Sequence, residues 1–408
     1  MRGRGARKAI AISSAGLVVL GSAMTLAACQ QSQPSEGGAA QTDLKIVEQV
    51  PIDENGAEIT PPDTAAAADP AGDGKAQCPP VSIAMAGALN GPDAALGINI
   101  KNGIQLAVDQ HNAANPGCKV QLKAFDTEGD PQKASQTAPQ IINDASIIGL
   151  IGPAFSGETM ATGDVYNQAG LVAATASATN VTLSQKGWKT FFRGLGNDGQ
   201  QGQAVGNYLK NSLGHKKVCV VDDSTDYGLG LATVVRNTLG AVADPACNIS
   251  VKKGDKDFSA AVTQIKGASP DSVFFSGYYA EAAPFAQQLK DGGYTGTFVS
   301  ADGTKDPEFV KQAGNAAEGA ILSCPCTPAP AEFAEEYKKA FNADPGTYSV
   351  EGYDLGTIML KGIDSGKTTR PDLLEFVRTY NGQGIGRKYQ WDPNGELTST
   401  LIWIFKVQ

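Results

Sequence analysis

From residue 81 onward the chain repeats one pattern: a short β-branched or apolar run, a Gly- or Ser-rich turn, then a segment with apolar residues at three- and four-residue spacing. Alternating strands and helices imply parallel sheets, because a parallel neighbour needs a crossover long enough to hold a helix. The first series places strands at 81–86, 119–125, 147–151 and 171–175. A second series begins near Gly199, with strands at 217–221, 249–252, 272–275, 298–300 and 320–322. The expected architecture is α/β, with two Rossmann-like lobes carrying parallel sheets, and 408 residues suit two lobes plus extensions at roughly 100–200 residues per domain. Helices follow over 330–341, 349–363 and 371–380, then a hairpin turning at 392–395 with 401–406 as its return strand. Late elements of this kind cross back, which assigns 78–198 with 327–383 to lobe 1 and 199–326 with 384–408 to lobe 2, joined by a multi-strand hinge.

The amino terminus is a different kind of sequence. Arg2, Arg4, Arg7 and Lys8 precede an apolar run over 9–28 that ends in Leu26-Ala27-Ala28-Cys29. This resembles a bacterial lipoprotein signal peptide over residues 1–28. The resemblance implies cleavage before Cys29, acylation of its thiol and amine, and export to the outer face of the cytoplasmic membrane. The run is nearly long enough to span a bilayer, so an uncleaved anchor is the alternative. Residues 29–77 read as an acidic flexible tether, rich in Pro, Ala and Gly, with nine acids against Lys45 and Lys75. Within it the stretch 44–47 is apolar enough to dock on the folded part.

With Cys29 set aside, six cysteines remain, an even number in an exported chain. Cys78 and Cys118 flank the first two strands of lobe 1, and Cys219 and Cys247 those of lobe 2. Each pair is expected to staple its strands as a disulfide, free buried thiols being the other possibility. Cys324-Pro325-Cys326 is either a strained bridge or two thiols.

Composition narrows the chemistry. His111 and His215 are the chain's two histidines, too few for imidazole metal sites or most Ser-His and Cys-His hydrolases. His111 shares a helical stripe with Ile104, Ala107 and Val108 and reads as a packing residue. A net charge of -9 disfavours nucleic acid. The run Gly194-Leu195-Gly196-Asn197-Asp198-Gly199 matches the dinucleotide fingerprint, yet it falls between the two series rather than in an opening βαβ unit. It reads as an inter-lobe crossover, and no cofactor or metal is expected.

What remains is a set of small polar and aromatic residues at strand carboxyl ends, where open α/β sheets bind ligands. Lobe 1 offers Gly152-Pro153-Ala154-Phe155-Ser156 and Ser177-Ala178-Thr179; lobe 2 offers 223–227, Gly277-Tyr278-Tyr279 and Ala301-Asp302-Gly303. Ser156 opens a helix whose free first-turn amides can hold a carboxylate. Paired carboxylates Asp302 and Asp223 leave an exported hydrolase as a reading of another class.

These stretches, with Asn90-Gly91-Pro92 and Asp226-Tyr227-Gly228, resemble in order and spacing the periplasmic leucine/isoleucine/valine-binding proteins over about residues 80–408. The resemblance implies the type I periplasmic binding fold and a monomeric, non-enzymatic subunit that captures an amino acid by lobe closure and hands it to an ABC transporter permease. Ser156 and Thr179 would hold the ligand carboxylate, the Ser177 carbonyl its ammonium, and Tyr227, Tyr278 and an acid at Asp302 would close from lobe 2, with Phe155 among the lining residues. The family usually has glutamate at the position of Asp302 and, in its leucine binder, tyrosine at that of Leu96. Those departures leave room for an amide or urea-like solute.

Overall fold

A computed structural model describes residues 43–61 and 66–408, apart from the side chains at 48 and 49. The signal segment and Cys29 lie outside the described residues. In chain order the elements begin with β1 (Ile46–Ile52), β2 (Val81–Gly87), α1 (Ala94–Ala114), β3 (Val120–Asp126), α2 (Pro131–Asn143), β4 (Ile147–Ile151), α3 (Ser156–Gln168), β5 (Val172–Thr175) and β6 (Phe191–Arg193). The second series runs α4 (Asp198–Asn207), β7 (Val218–Asp222), α5 (Asp226–Leu239), β8 (Ala243–Ser250), α6 (Ser259–Ala268), β9 (Ser272–Ser276), α7 (Tyr279–Asp291), β10 (Thr297–Ser300), α8 (Pro307–Ala313) and β11 (Ile321–Cys324). The chain closes with α9 (Ala331–Phe341), α10 (Ser349–Asp364), α11 (Arg370–Thr379), β12 (Asn381–Gln383), β13 (Lys388–Gln390) and β14 (Ile402–Val407).

Two sheets form. Lobe 1 holds five parallel strands in the order β3-β2-β4-β5-β6, and lobe 2 holds seven in the order β1-β14-β11-β10-β9-β7-β8, with β14 antiparallel to both neighbours. Strands β2, β4, β7 and β9 are buried along their whole length, as strands covered by helices on both faces must be. Helix α10 packs on α1, α11 and β4, which makes it part of lobe 1, and α4 packs on α5. The glycine fingerprint is therefore a crossover, leading from β6 in one sheet to α4 on the other lobe. Asn197 caps α4 by accepting from the Gln200 amide.

Cys78 pairs with Cys118 and Cys219 with Cys247, stapling β2 to β3 and β7 to β8 as expected, and Cys324 is bonded to Cys326. His111 is buried, with Nε2 2.7 Å from Asp364 Oδ1. Cys118 lies near this pair but its sulfur is committed to the disulfide.

Three expectations change. The strand expected at 249–252 is β8, which starts at Ala243; it is a sheet edge buried only at Ala243 and Cys247, so its apolar run is weak. The strand β14 does not return on the segment before it, where the 392–395 turn closes a local bridge between Trp391 and Leu397. Its residues 402–405 are all buried, and such a strand needs neighbours on both edges, here β11 and β1. The tether expectation for 29–77 fails over Ile46–Ile52, which form β1. From there the segment follows lobe 2, with Asn207 Nδ2 donating to the Glu54 carbonyl and Ser212 Oγ to that of Gly56. Gly56 has φ +77°, and a Cβ there would collide with the Tyr208 backbone. Residues 66–77 lie on lobe 1, where Asn115 bonds the Ala71 carbonyl and the Ala76 amide.

Ile52 is buried opposite Ile402. Ile52→Ala is expected to cost about 2–5 kcal/mol in chemical denaturation; a change within about 0.5 kcal/mol is what a free tether would give.

Candidate functional site

The two sheets present their strand carboxyl ends, and the helices that follow them present amino termini, to one cavity with about 10 Å³ of free space. Its walls are Leu96, Ala154, Phe155, Ser156 and Ser177 from lobe 1, Tyr227, Tyr278 and Asp302 from lobe 2, and Tyr348. Each sits at an element boundary: Leu96 in the first turn of α1, Phe155 and Ser156 where β4 gives way to α3, Tyr227 at the start of α5, Tyr278 just before α7, and Tyr348 just before α10.

Asp302 is the centre of this arrangement. It follows β10, is 1% exposed, and accepts hydrogen bonds from Tyr227 (2.9 Å, Oδ1) and Tyr348 (2.6 Å, Oδ2). The Tyr227 hydroxyl in turn accepts from the Gly303 amide at 3.1 Å. Burial raises the Asp302 pKa, against hydrogen bonds from Tyr348, Gln201 and Tyr227 that favour the carboxylate. The phenols of Tyr227, Tyr278 and Tyr348 are pushed well above the ordinary tyrosine value by burial and by neighbouring acids, so they remain donors. The Tyr278 ring packs 5.0 Å from Phe155 and 5.1 Å from Tyr227, joining the lobes through aromatic edges.

On the lobe 1 side Ser156 Oγ accepts from the Asn180 amide at 3.2 Å. Ser177 Oγ donates to the Ala154 carbonyl at 2.5 Å, and Thr175 Oγ1 to that of Pro153 at 2.9 Å. These bonds tie the ends of β4 and β5 together. The first-turn amides of α3 have no acceptor earlier in their own helix.

The structure thus brings together Ser156, Ser177, Tyr227, Tyr278, Asp302, Leu96 and Phe155. Thr179 is buried but forms no part of the wall; its carbonyl accepts from the Asp198 amide at 2.9 Å, back in the crossover. Asp223 is not a wall residue either. Its Oδ1 accepts from the Thr225 amide and hydroxyl, and of the two acids Asp302 alone lines the cavity. Sequence reasoning missed Tyr348, whose signal was its place at the helix start, shared with Tyr227 and Tyr278. It also missed Asp198, a buried acid raised to about 8 by burial and then by Asp302.

The fold is the type I periplasmic binding protein fold, two α/β lobes about a cleft. The chain belongs to the periplasmic binding protein family, whose model matches residues 80–408. It is 31% identical to the Leu/Ile/Val-binding protein BraC3 of Rhizobium johnstonii over 80% of this chain and 91% of that one. It is 30% identical to the leucine-, isoleucine-, valine-, threonine- and alanine-binding protein of Pseudomonas aeruginosa over 80% and 89%. The substrate-binding protein LivJ of Streptococcus pneumoniae, solved with isoleucine, superposes with a TM-score of 0.73 at 26% identity, covering 78% of this chain and 94% of that one. Among the described residues no helix is long and apolar enough to cross a membrane.

Around the cleft and hinge several acids are held above the ordinary carboxylate range, chiefly by burial: Asp198 at about 8, Glu158, Glu281 and Asp354 at about 7, and Asp223 at about 6. A group whose folded pKa is raised adds stability that is complete below its unfolded value and lost as pH rises through the folded one. Burial lowers the pKa of His215, which works in the opposite sense but is a single group. The melting temperature should therefore fall between about pH 5.5 and about pH 8.5, measured by calorimetry at constant ionic strength. A flat or rising profile would contradict the burial of these acids.

Proposed function

We propose that this chain captures a small amino acid, branched-chain or another aliphatic one, by closure of its lobes, and delivers it to an ABC transporter permease. One observation carries the reading: a buried carboxylate, Asp302, braced by two phenols, stands across the cavity from the serine-lined amino terminus of α3. An amino-acid zwitterion leaving water needs partners for both charges, since an unpaired buried ion costs several kcal/mol. In this reading the α-carboxylate meets Ser156 and the first-turn amides of α3, aided by the helix dipole. The ammonium meets Asp302 and the Ser177 carbonyl, while Leu96, Phe155 and Tyr278 enclose the side chain. Thr179 stays outside the ligand set. The names of the relatives from Rhizobium johnstonii and Pseudomonas aeruginosa, and the isoleucine in LivJ, support the same ligand class.

The protein acts as a monomer and as a binder without turnover. Residues 1–28 direct export and Cys29 carries the lipid. Cys29→Ala should move the protein from the membrane fraction to the soluble one; unchanged fractionation would count against the lipid.

The binding reading is tested by calorimetric titration with leucine, isoleucine, valine, alanine, their amides and urea. One-to-one binding of an aliphatic amino acid is expected, and saturation at 1,000-fold excess over Kd should add about 4 kcal/mol of stability. Asp302→Asn should cost about 2–5 kcal/mol of binding energy, roughly thirtyfold to several thousandfold in Kd. Binding of the amides or urea in preference to the amino acids, or unchanged affinity in Asp302→Asn, would overturn the assignment.

A further inference from the structure

We infer that Lys253 is a closure latch: an ammonium from lobe 2 that pairs with Asp93 of lobe 1, setting ligand affinity without touching the ligand. The inference rests on the reading of the protein as a binder that works by closing.

Lys253 lies in the loop after β8, on lobe 2, where its amide donates to the Asp223 carbonyl at 3.1 Å and the next amide, of Gly254, donates to Glu281 Oε1 at 2.8 Å. Its side chain leaves that lobe. The ammonium reaches Asp93 Oδ2, just before α1, at 2.9 Å and comes within 3.5 Å of the Gly129 carbonyl, both in lobe 1. On the way it passes over the rings of Tyr278 and Phe155, at 4.7 and 5.1 Å from their centroids. These rings wall the cavity from opposite lobes, whereas neither Lys253 nor Asp93 lines it.

The electrostatics explain why a cation is needed there. Asp93 and Glu158 belong to lobe 1 and Asp223 and Glu281 to lobe 2, and all four are buried. Asp93 Oδ1, Asp223 Oδ2 and Glu281 Oε2 have no hydrogen-bond donor among the described residues. Closing the lobes brings these acids together, and like charges gathered in a low dielectric oppose closure. The charge of Lys253 acts on the other three acids as well as on its partner. Opening parts Lys253 from Asp93 and rehydrates both, so the pair favours the closed form alone. A term that differs between open and closed states shifts their populations, and with them the apparent affinity. Because the pair does not touch the ligand, its effect falls on the dissociation rate and is the same for every ligand.

The test uses the full chain with isoleucine as probe, in Lys253→Met, Lys253→Arg, Asp93→Asn and the Lys253→Met/Asp93→Asn double variant. Lys253→Met should raise Kd by about tenfold to a hundredfold, mainly through the dissociation rate. Lys253→Arg should keep most of the affinity, and the double variant should bind no worse than the poorer single one. The double variant, which leaves no unpaired partner, guards against loss of folding. Wild-type affinity in Lys253→Met, or losses that multiply in the double variant, would overturn the latch. If the wild-type chain binds no amino acid, the functional reading fails, and small-angle scattering of the unliganded proteins then decides the latch: a larger radius of gyration in Lys253→Met supports it and an equal one refutes it.

Discussion

The site is organised by one buried carboxylate. Asp302 sits almost out of reach of water at the junction of two lobes, and an acid there either takes a proton or is held charged by donors. Two phenols take one oxygen each, Tyr227 from the same lobe and Tyr348 from the segment that leads into α10 on the other. They brace the carboxylate without neutralising it. In the proposed reading a ligand cation arriving between the lobes would supply the missing charge, so that occupancy and closure would become one event.

The topology makes this possible. In parallel α/β sheets, strand carboxyl ends and helix amino termini point the same way, so each lobe offers hydroxyls and open amides along one edge. When two such edges face each other, a ligand with one negative and one positive group can be read from both sides. The rings of Phe155 and Tyr278, in edge contact across the cleft, exclude water from the charges and so strengthen them. Lys253 lies over those same rings, which places the charge balance of closure beside the apolar wall rather than inside the binding space.

Much of this was legible along the chain. The strand and helix alternation marked two lobes, and cysteines placed beside paired strands marked two disulfides, because those signals are local. Phe155, Ser156, Ser177 and Asp302 were legible because they follow strand ends, whereas Leu96, in the first turn of α1, was legible only through the family resemblance. Tyr348 carried only the signal of a helix start, and it reaches Asp302 only because the chain crosses between the lobes after β11, a long-range event that leaves no periodic trace. Asp198 stood only as one residue of the glycine run read as a crossover, and its burial arises only when α4 packs on the second lobe. The strand β1 was hidden by composition, since Ile46–Ile52 sit in a Pro- and Ala-rich acidic stretch and gain order only by pairing with β14 at the far end of the chain.

The most direct test of the account is a crystal structure of the chain with isoleucine bound. The ammonium is expected against the Asp302 carboxylate, with Tyr227 and Tyr348 still in place, and the ligand carboxylate at Ser156 and the first turn of α3. Isoleucine seated elsewhere, or held in this cavity with its ammonium turned away from Asp302, would contradict it.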